Sequence, residues 1–238
     1  MAAAPANKTS ARELQYGRVE RVLRERIMRG ELHPGQRLVR RTLARELGVS
    51  PIPVIEALRR LEQDGLVEHA PNIGARVRPL TVETLVDDFV LREAIESQVA
   101  RLLVGRLGPK QVDDLYREAD DLDAAMRRKT RTGGDGMTMH ARFHQELARL
   151  TGREVLVREE ERIWSMRFIH FAWISGTLVS PVPKGWHRRL VAAIAAGDER
   201  EADEAARVHV RYPSTDPDQM TAAVRDALDE LQKNGWRA

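Results

Sequence analysis

Residues 43–67 read LARELGVSPIPVIEALRRLEQDGLV, and this stretch decides the fold. Leu43, Ala44 and Leu47 recur at helical spacing and stop at Gly48, so a short helix ends there. Ser50 stands where an N-cap is needed, and Pro53 sits in a first turn that tolerates a missing N–H. Val54, Ala57, Leu58 and Leu61 then give a second helix one apolar face, and Gly65 closes it. Two short helices joined by a tight turn form a helix-turn-helix pattern.

Working outward, Tyr16, Val19, Leu23 and Ile27 mark an upstream helix ending near Gly30, followed by a Pro-Gly turn in ELHPGQRL. Downstream, GLVEHAPNIGARVRPL reads as two short strands around an Asn-Ile-Gly turn. Three helices and a β-ribbon make a winged helix-turn-helix over residues 11–79, whose third helix would enter a major groove. Residues 1–10 are small and polar and read as disordered. From Thr81 strand signals vanish. Helices are expected near 81–107, 109–131, 136–151, 154–178, 184–197 and 198–212, with an extra tail helix near 218–235. The chain is therefore mainly α: a winged helix, then an all-α bundle over 80–213, then a tail over 214–238.

The bulk composition agrees. Of 238 residues 42% are apolar but only 5% aromatic, which favours packed helices over a β-sandwich. No cysteine is present, so disulfides and thiolate metal sites are excluded. The first ten residues lack the apolar core of a signal peptide, and no apolar run approaches about 18 residues, so a soluble cytoplasmic protein is expected. The formal charge of +3 is unevenly placed. Residues 1–80 hold 15 Lys and Arg against 9 Asp and Glu, and the remainder holds 24 against 27. A basic first third suits a polyanionic partner.

These motifs resemble the GntR-type regulators, and within them the FadR-like group with an FCD ligand-binding domain. The resemblance is carried by YGRVERVLRERIMRGELHPGQRL at 16–38, LARELGVS at 43–50, Pro53-Val54, Glu56-Ala57-Leu58 and LEQDGLV at 61–67. In the second half it is carried by LREAIESQVARLL at 91–103, FHQEL at 143–147, and His187 with Gly197-Asp198 and His209. It covers roughly residues 12–212. It implies a transcription regulator, not an enzyme, that binds a double-stranded operator as a homodimer and answers to a small organic acid.

The expected DNA-facing groups are Arg40, Arg41 and Arg45 around the second helix, Ser50 at the turn and Arg59 on the third helix, with Arg60 beside it. His69, Gly74 and Arg76, with Arg78, lie on the ribbon. Guanidiniums form bidentate hydrogen bonds with phosphates and guanine edges. A plain solvated, arginine-rich surface is the alternative. Where the family usually has arginine, this chain has Pro51, Ile55 and Ile73, so an unusual operator or weaker affinity is expected.

Four of the seven histidines point inward on their own helices. His140 and His144 lie one turn apart, His187 shares a stripe with Leu190, Val191 and Ile194, and His209 shares one with Ala202 and Ala206. Neutral imidazoles on apolar faces suit a divalent metal, with Zn²⁺ favoured by availability over Ni²⁺ or Cu²⁺. The resemblance implies an Asp-and-three-His site at His144, His187 and His209, with His140 where the Asp usually stands. Arg92 and Glu96 fall in the apolar stripe of the helix at 81–107. They read either as a buried i,i+4 pair or, by resemblance, with Arg92 meeting an effector carboxylate. That helix is apolar on nearly its whole circumference, which suggests a dimer interface. A regulator answering to the metal alone is an alternative; a metal-dependent enzyme is disfavoured because no HExxH-type motif is present.

Overall fold

The computed structural model describes residues 6–70, 74–127, 134–174 and 183–211, with scattered positions of the tail. The chain divides into two compact units, one holding the residues up to Thr81 together with Phe168–Trp173, and one holding Val82–Arg167 and the residues from Ile174 to Trp236.

The first unit is built from α1 (Ala6–Met28), α2 (Arg40–Leu47), α3 (Pro51–Gln63) and an antiparallel ribbon, β1 (Val67–Ala70) with β2 (Gly74–Val77). Val19, Leu23 and Ile27 recur every four residues along α1 and bury one stripe against α3. Val54, Ala57, Leu58 and Leu61 of α3 meet them in one core that Leu66 and Val77 close. Gly48 ends α2 in the left-handed region (φ 65°), where Val49 N–H donates to the Ala44 carbonyl at 3.0 Å. A side chain would be strained at this turn, which sets α3 against α2. Leu58 is 1% exposed at the centre of this core. Leu58→Ala should cost about 2–5 kcal/mol of unfolding free energy, read from chemical denaturation.

The structure corrects several expectations. α1 begins at Ala6, so residues 6–10 are helical rather than disordered. Extending an established helix adds one hydrogen bond per residue ordered, without the cost of a new nucleus. Residues 35–38, read as part of a turn, pair with the free edge of β2. Gly35 N–H donates to Val77 O, Val77 N–H to Gln36 O and Leu38 N–H to Ala75 O, at 2.8–3.0 Å. Ser50 stands at the N-cap of α3 but its side chain makes no cap bond. The first and third helical residues there are Pro51 and Pro53, so the third-position N–H that a capping oxygen prefers is missing.

The second unit holds α4 (Val82–Leu103), α5 (Pro109–Arg127), α6 (Gly134–Leu150), most of α7 (Glu154–Ile174), α8 (Trp186–Ala196) and α9 (Glu199–Arg211). α4 packs along α9, α5 along α8, and α6 against both α4 and α5. Leu103, Ala119, Leu122, Leu147, Val191 and Ala206 lie in the shared core. Glu93 of α4 receives Arg207 Nη1 at 2.6 Å and Arg211 Nε at 2.5 Å, joining α4 to α9. Those two guanidiniums, Arg211 first, hold its carboxyl below the usual range.

α4 is not apolar around its circumference. Its buried face carries Asp88, Arg92, Glu96 and Ser97, while Val90 is exposed. The helix expected over 154–178 is described to Ile174, and residues 175–182 lie outside the described residues. Most of the tail expected as a helix over 218–235 also lies outside them. The positions described within it are helical, and Leu228 is buried. No helix among the described residues is long and apolar enough to cross a membrane.

Candidate metal centre and nucleic-acid interface

Three helices of the second unit converge on the four inward histidines. α6 supplies His140 and His144, α8 supplies His187 and α9 supplies His209. All four are buried, and each offers a ring nitrogen within 4.8 Å of the others. His144 Nε2 stands 3.1 Å from His140 Nε2 and 3.1 Å from His209 Nε2. Two imidazoles sharing one cation at about 2.0–2.1 Å would keep nitrogens roughly 2.9–3.4 Å apart.

Carboxylates orient two of the rings. His187 Nδ1 lies 2.6 Å from Asp123 Oδ1, and His144 Nδ1 lies 3.2 Å from Glu96 Oε2. Each contact directs the Nδ1 proton outward and leaves an Nε2 lone pair facing the cluster. His187 Nε2 has no hydrogen-bond partner among the described residues. Burial, then the neighbouring His187, keeps His140 well below the ordinary imidazole range. Burial also lowers His187, against the opposing pull of Asp123. Both are therefore neutral at pH 7, the form that ligates a metal.

The surroundings also fit a cation. Arg92 donates to Glu96 from Nε at 2.5 Å and lies over the Trp164 ring, while Glu160 approaches Glu96 and His144. Glu96, Asp123 and Glu160 are all buried around the histidines, with Arg92 beside Glu96. Carboxyl groups gathered in this way suit a divalent ion. Arg92 thus has a partner, as the paired reading expected, and it also borders the cluster. Asp198, whose spacing entered the resemblance, is an exposed cap of α9 that accepts the Arg200 N–H at 2.7 Å.

Asp123 and Glu160 were missed, although a signal was present. Asp123 continues the Leu115–Ala119 stripe of α5 and Glu160 follows Leu156 by one turn on α7, each an acid on an otherwise apolar face. Asp123→Asn should weaken metal affinity about 10–100-fold, because the His187 ring loses its orienting acceptor. Competition with a chromophoric chelator would measure this.

In the first unit the expected DNA-facing residues do not behave alike. Arg41, Arg45 and Arg59 are exposed, with no side-chain partner among the described residues. Arg40 instead contacts His69 Nε2 at 3.2 Å, and His69 Nδ1 lies 3.1 Å from Glu62. Arg76 pairs across the ribbon with Glu68 at 2.6 Å. Arg60 is turned toward α1, donating to Tyr16 OH at 3.1 Å and lying over its ring. Ser50 is exposed, and Gly74 opens β2 at φ 83°. Pro51 and Pro53 leave Ile52 as the only N–H donor among the first three residues of α3, so this helix start is a poorer anion site than its position suggests. Ile73 lies outside the described residues.

Residues 15–77 match the family described as bacterial regulatory proteins, gntR family, and residues 87–212 match the FCD domain. The chain is 32% identical, over 84% of each sequence, to an HTH-type transcriptional regulator in an unstable DNA locus of Streptomyces ambofaciens. It is 29% identical to a probable D-xylose utilization operon transcriptional repressor of Paenarthrobacter nicotinovorans, over 77% of this chain and 80% of that one. A crystal structure of a putative GntR transcriptional regulator from Rhodococcus sp. RHA1 has the same fold, with a TM-score of 0.60 at 23% identity. That match covers 93% of this chain and 99% of the other.

Proposed function

This chain belongs to the GntR family of bacterial regulatory proteins and is a DNA-binding transcription regulator with an FCD domain, not an enzyme; on that basis we propose that a small carboxylate effector, bound beside a divalent metal on the four histidines, sets its operator affinity. The observation that carries this reading is the convergence of four buried imidazole nitrogens within 4.8 Å, two of them oriented by carboxylates. His140, His144, His187 and His209 would hold the ion, with Zn²⁺ favoured over Ni²⁺ or Cu²⁺ by availability. When bound, the ion would supply a fixed positive charge that favours a carboxylate nearby. Arg92, next to the cluster, adds a fixed positive charge for the same group. Arg40, Arg41, Arg45, Ser50, Arg59, His69, Gly74 and Arg76 form the DNA-facing set, with Arg41, Arg45 and Arg59 as its strongest members.

The protein acts in the cytoplasm as a homodimer, so that two copies of α3 meet a palindromic operator. The effector changes operator affinity only by its preference for one helix packing over another.

A screen of small organic acids on metal-loaded protein tests the effector. A ligand of the folded state raises Tm, and operator affinity is then measured with and without the hit. Arg92→Ala should abolish the thermal shift; equal operator affinity with and without the hit rejects effector control. Four histidines complete a tetrahedral zinc sphere without an open position, which favours a second reading: a regulator answering to the metal alone. Titrating metal against operator affinity with no organic acid present separates the two.

A further inference from the structure

Five large hydrophobic residues are exposed among the described residues, and two of them lie on α3: Ile52 at 49% and Ile55 at 39%. They stand one turn apart, and Arg59 continues their stripe. The opposite face, Val54, Ala57, Leu58 and Leu61, is committed to the core. Neither isoleucine belongs to the core cluster, and β-branched side chains gain nothing on an exposed helix face.

We propose that Ile52 and Ile55 read thymine 5-methyl groups in the major groove, so that operator choice rests on apolar contact at this part of α3. The inference rests on this unit being the DNA-binding domain. The N-terminal half of a recognition helix is the part that meets base edges. Of the groups the four bases expose in that groove, the thymine methyl is the apolar one. The exposed cations Arg41, Arg45 and Arg59 belong to the same helix-turn-helix and suit a polyanionic duplex rather than an apolar protein surface. Pro51 and Pro53 flank Ile52 and remove the N–H groups that would hold a phosphate, which again favours a base over the backbone. Two side chains are also too small a patch for a protein interface of about 800 Å² per partner.

The whole 238-residue chain first enriches duplexes from a randomised pool, and the enriched sequence is remade with deoxyuridine for thymidine, which deletes the methyl. Wild type should lose about four-fold in affinity for each methyl contacted. Ile52→Ala and Ile55→Ala should bind the thymine duplex more weakly, each becoming indifferent to uracil at one position of the half-site. Both side chains are exposed, and unchanged Tm values verify that the variants fold. Equal wild-type affinity for the thymine and uracil duplexes, with salt-sensitive binding intact, overturns this inference and leaves the DNA-binding domain standing. An undiminished uracil effect in both alanine variants also overturns it, assigning the effect to DNA shape. Absence of salt-sensitive binding to every duplex overturns the DNA-binding reading itself, and this inference with it.

Discussion

Stripping metal from the purified chain should lower its Tm by about 8–16 °C, and one equivalent of Zn²⁺ should restore it. A ligand present at about a thousand times its Kd stabilises the folded state by about 4 kcal/mol. Each kcal/mol moves Tm by about 2–4 °C in a protein of this size. The source is the buried donor set: Glu96, Asp123 and Glu160 lie around the four histidines, and an ion would meet them there. Neutral rings such as His187, whose Nε2 lacks a hydrogen-bond partner among the described residues, would gain a ligand at the same time. His187→Ala should remove most of the metal-dependent shift, leaving a Tm that chelator changes little. Differential scanning calorimetry with elemental analysis checks both statements. Protein prepared without chelator that holds no stoichiometric metal would end the metal reading.

The second large effect is on DNA. Replacing Arg41, Arg45 and Arg59 together with alanine should reduce operator affinity by about 10²–10⁴-fold and flatten its salt dependence by up to about three counterions. These three are exposed and lack side-chain partners among the described residues, so their charge is fully available to phosphate. Exposed positions of this kind change stability by only about 0.5 kcal/mol, so an unchanged Tm should accompany the loss. Arg60→Ala makes the contrast. Its guanidinium is engaged with Tyr16 and Glu20 of α1, so its loss should disturb the α1–α3 contact more than the salt slope. Fluorescence anisotropy across a salt series would distinguish the two variants. An unaltered slope in the triple variant would remove this face from the interface.

Much of the architecture could be read along the chain because helical and strand periodicity are local. Leu43 to Val67 shows which faces turn inward, and the glycines at 48 and 65 show where helices must stop. The i,i+4 spacing of His140 and His144 likewise puts both on one face whatever surrounds them. What local pattern leaves open is which inward faces meet. His144 reaches His209, sixty-five residues on, and Asp123 reaches His187, sixty-four residues on, because α4, α5, α6, α8 and α9 pack around one core. Packing likewise turned Arg60 toward Tyr16 and paired residues 35–38 with β2, while two prolines left Ser50 without its cap bond. Periodicity sets the direction of a side chain relative to its own helix axis. Distances between axes, and so the assembly of the histidine cluster and its carboxylates, come from burying apolar stripes far apart in the chain against one another.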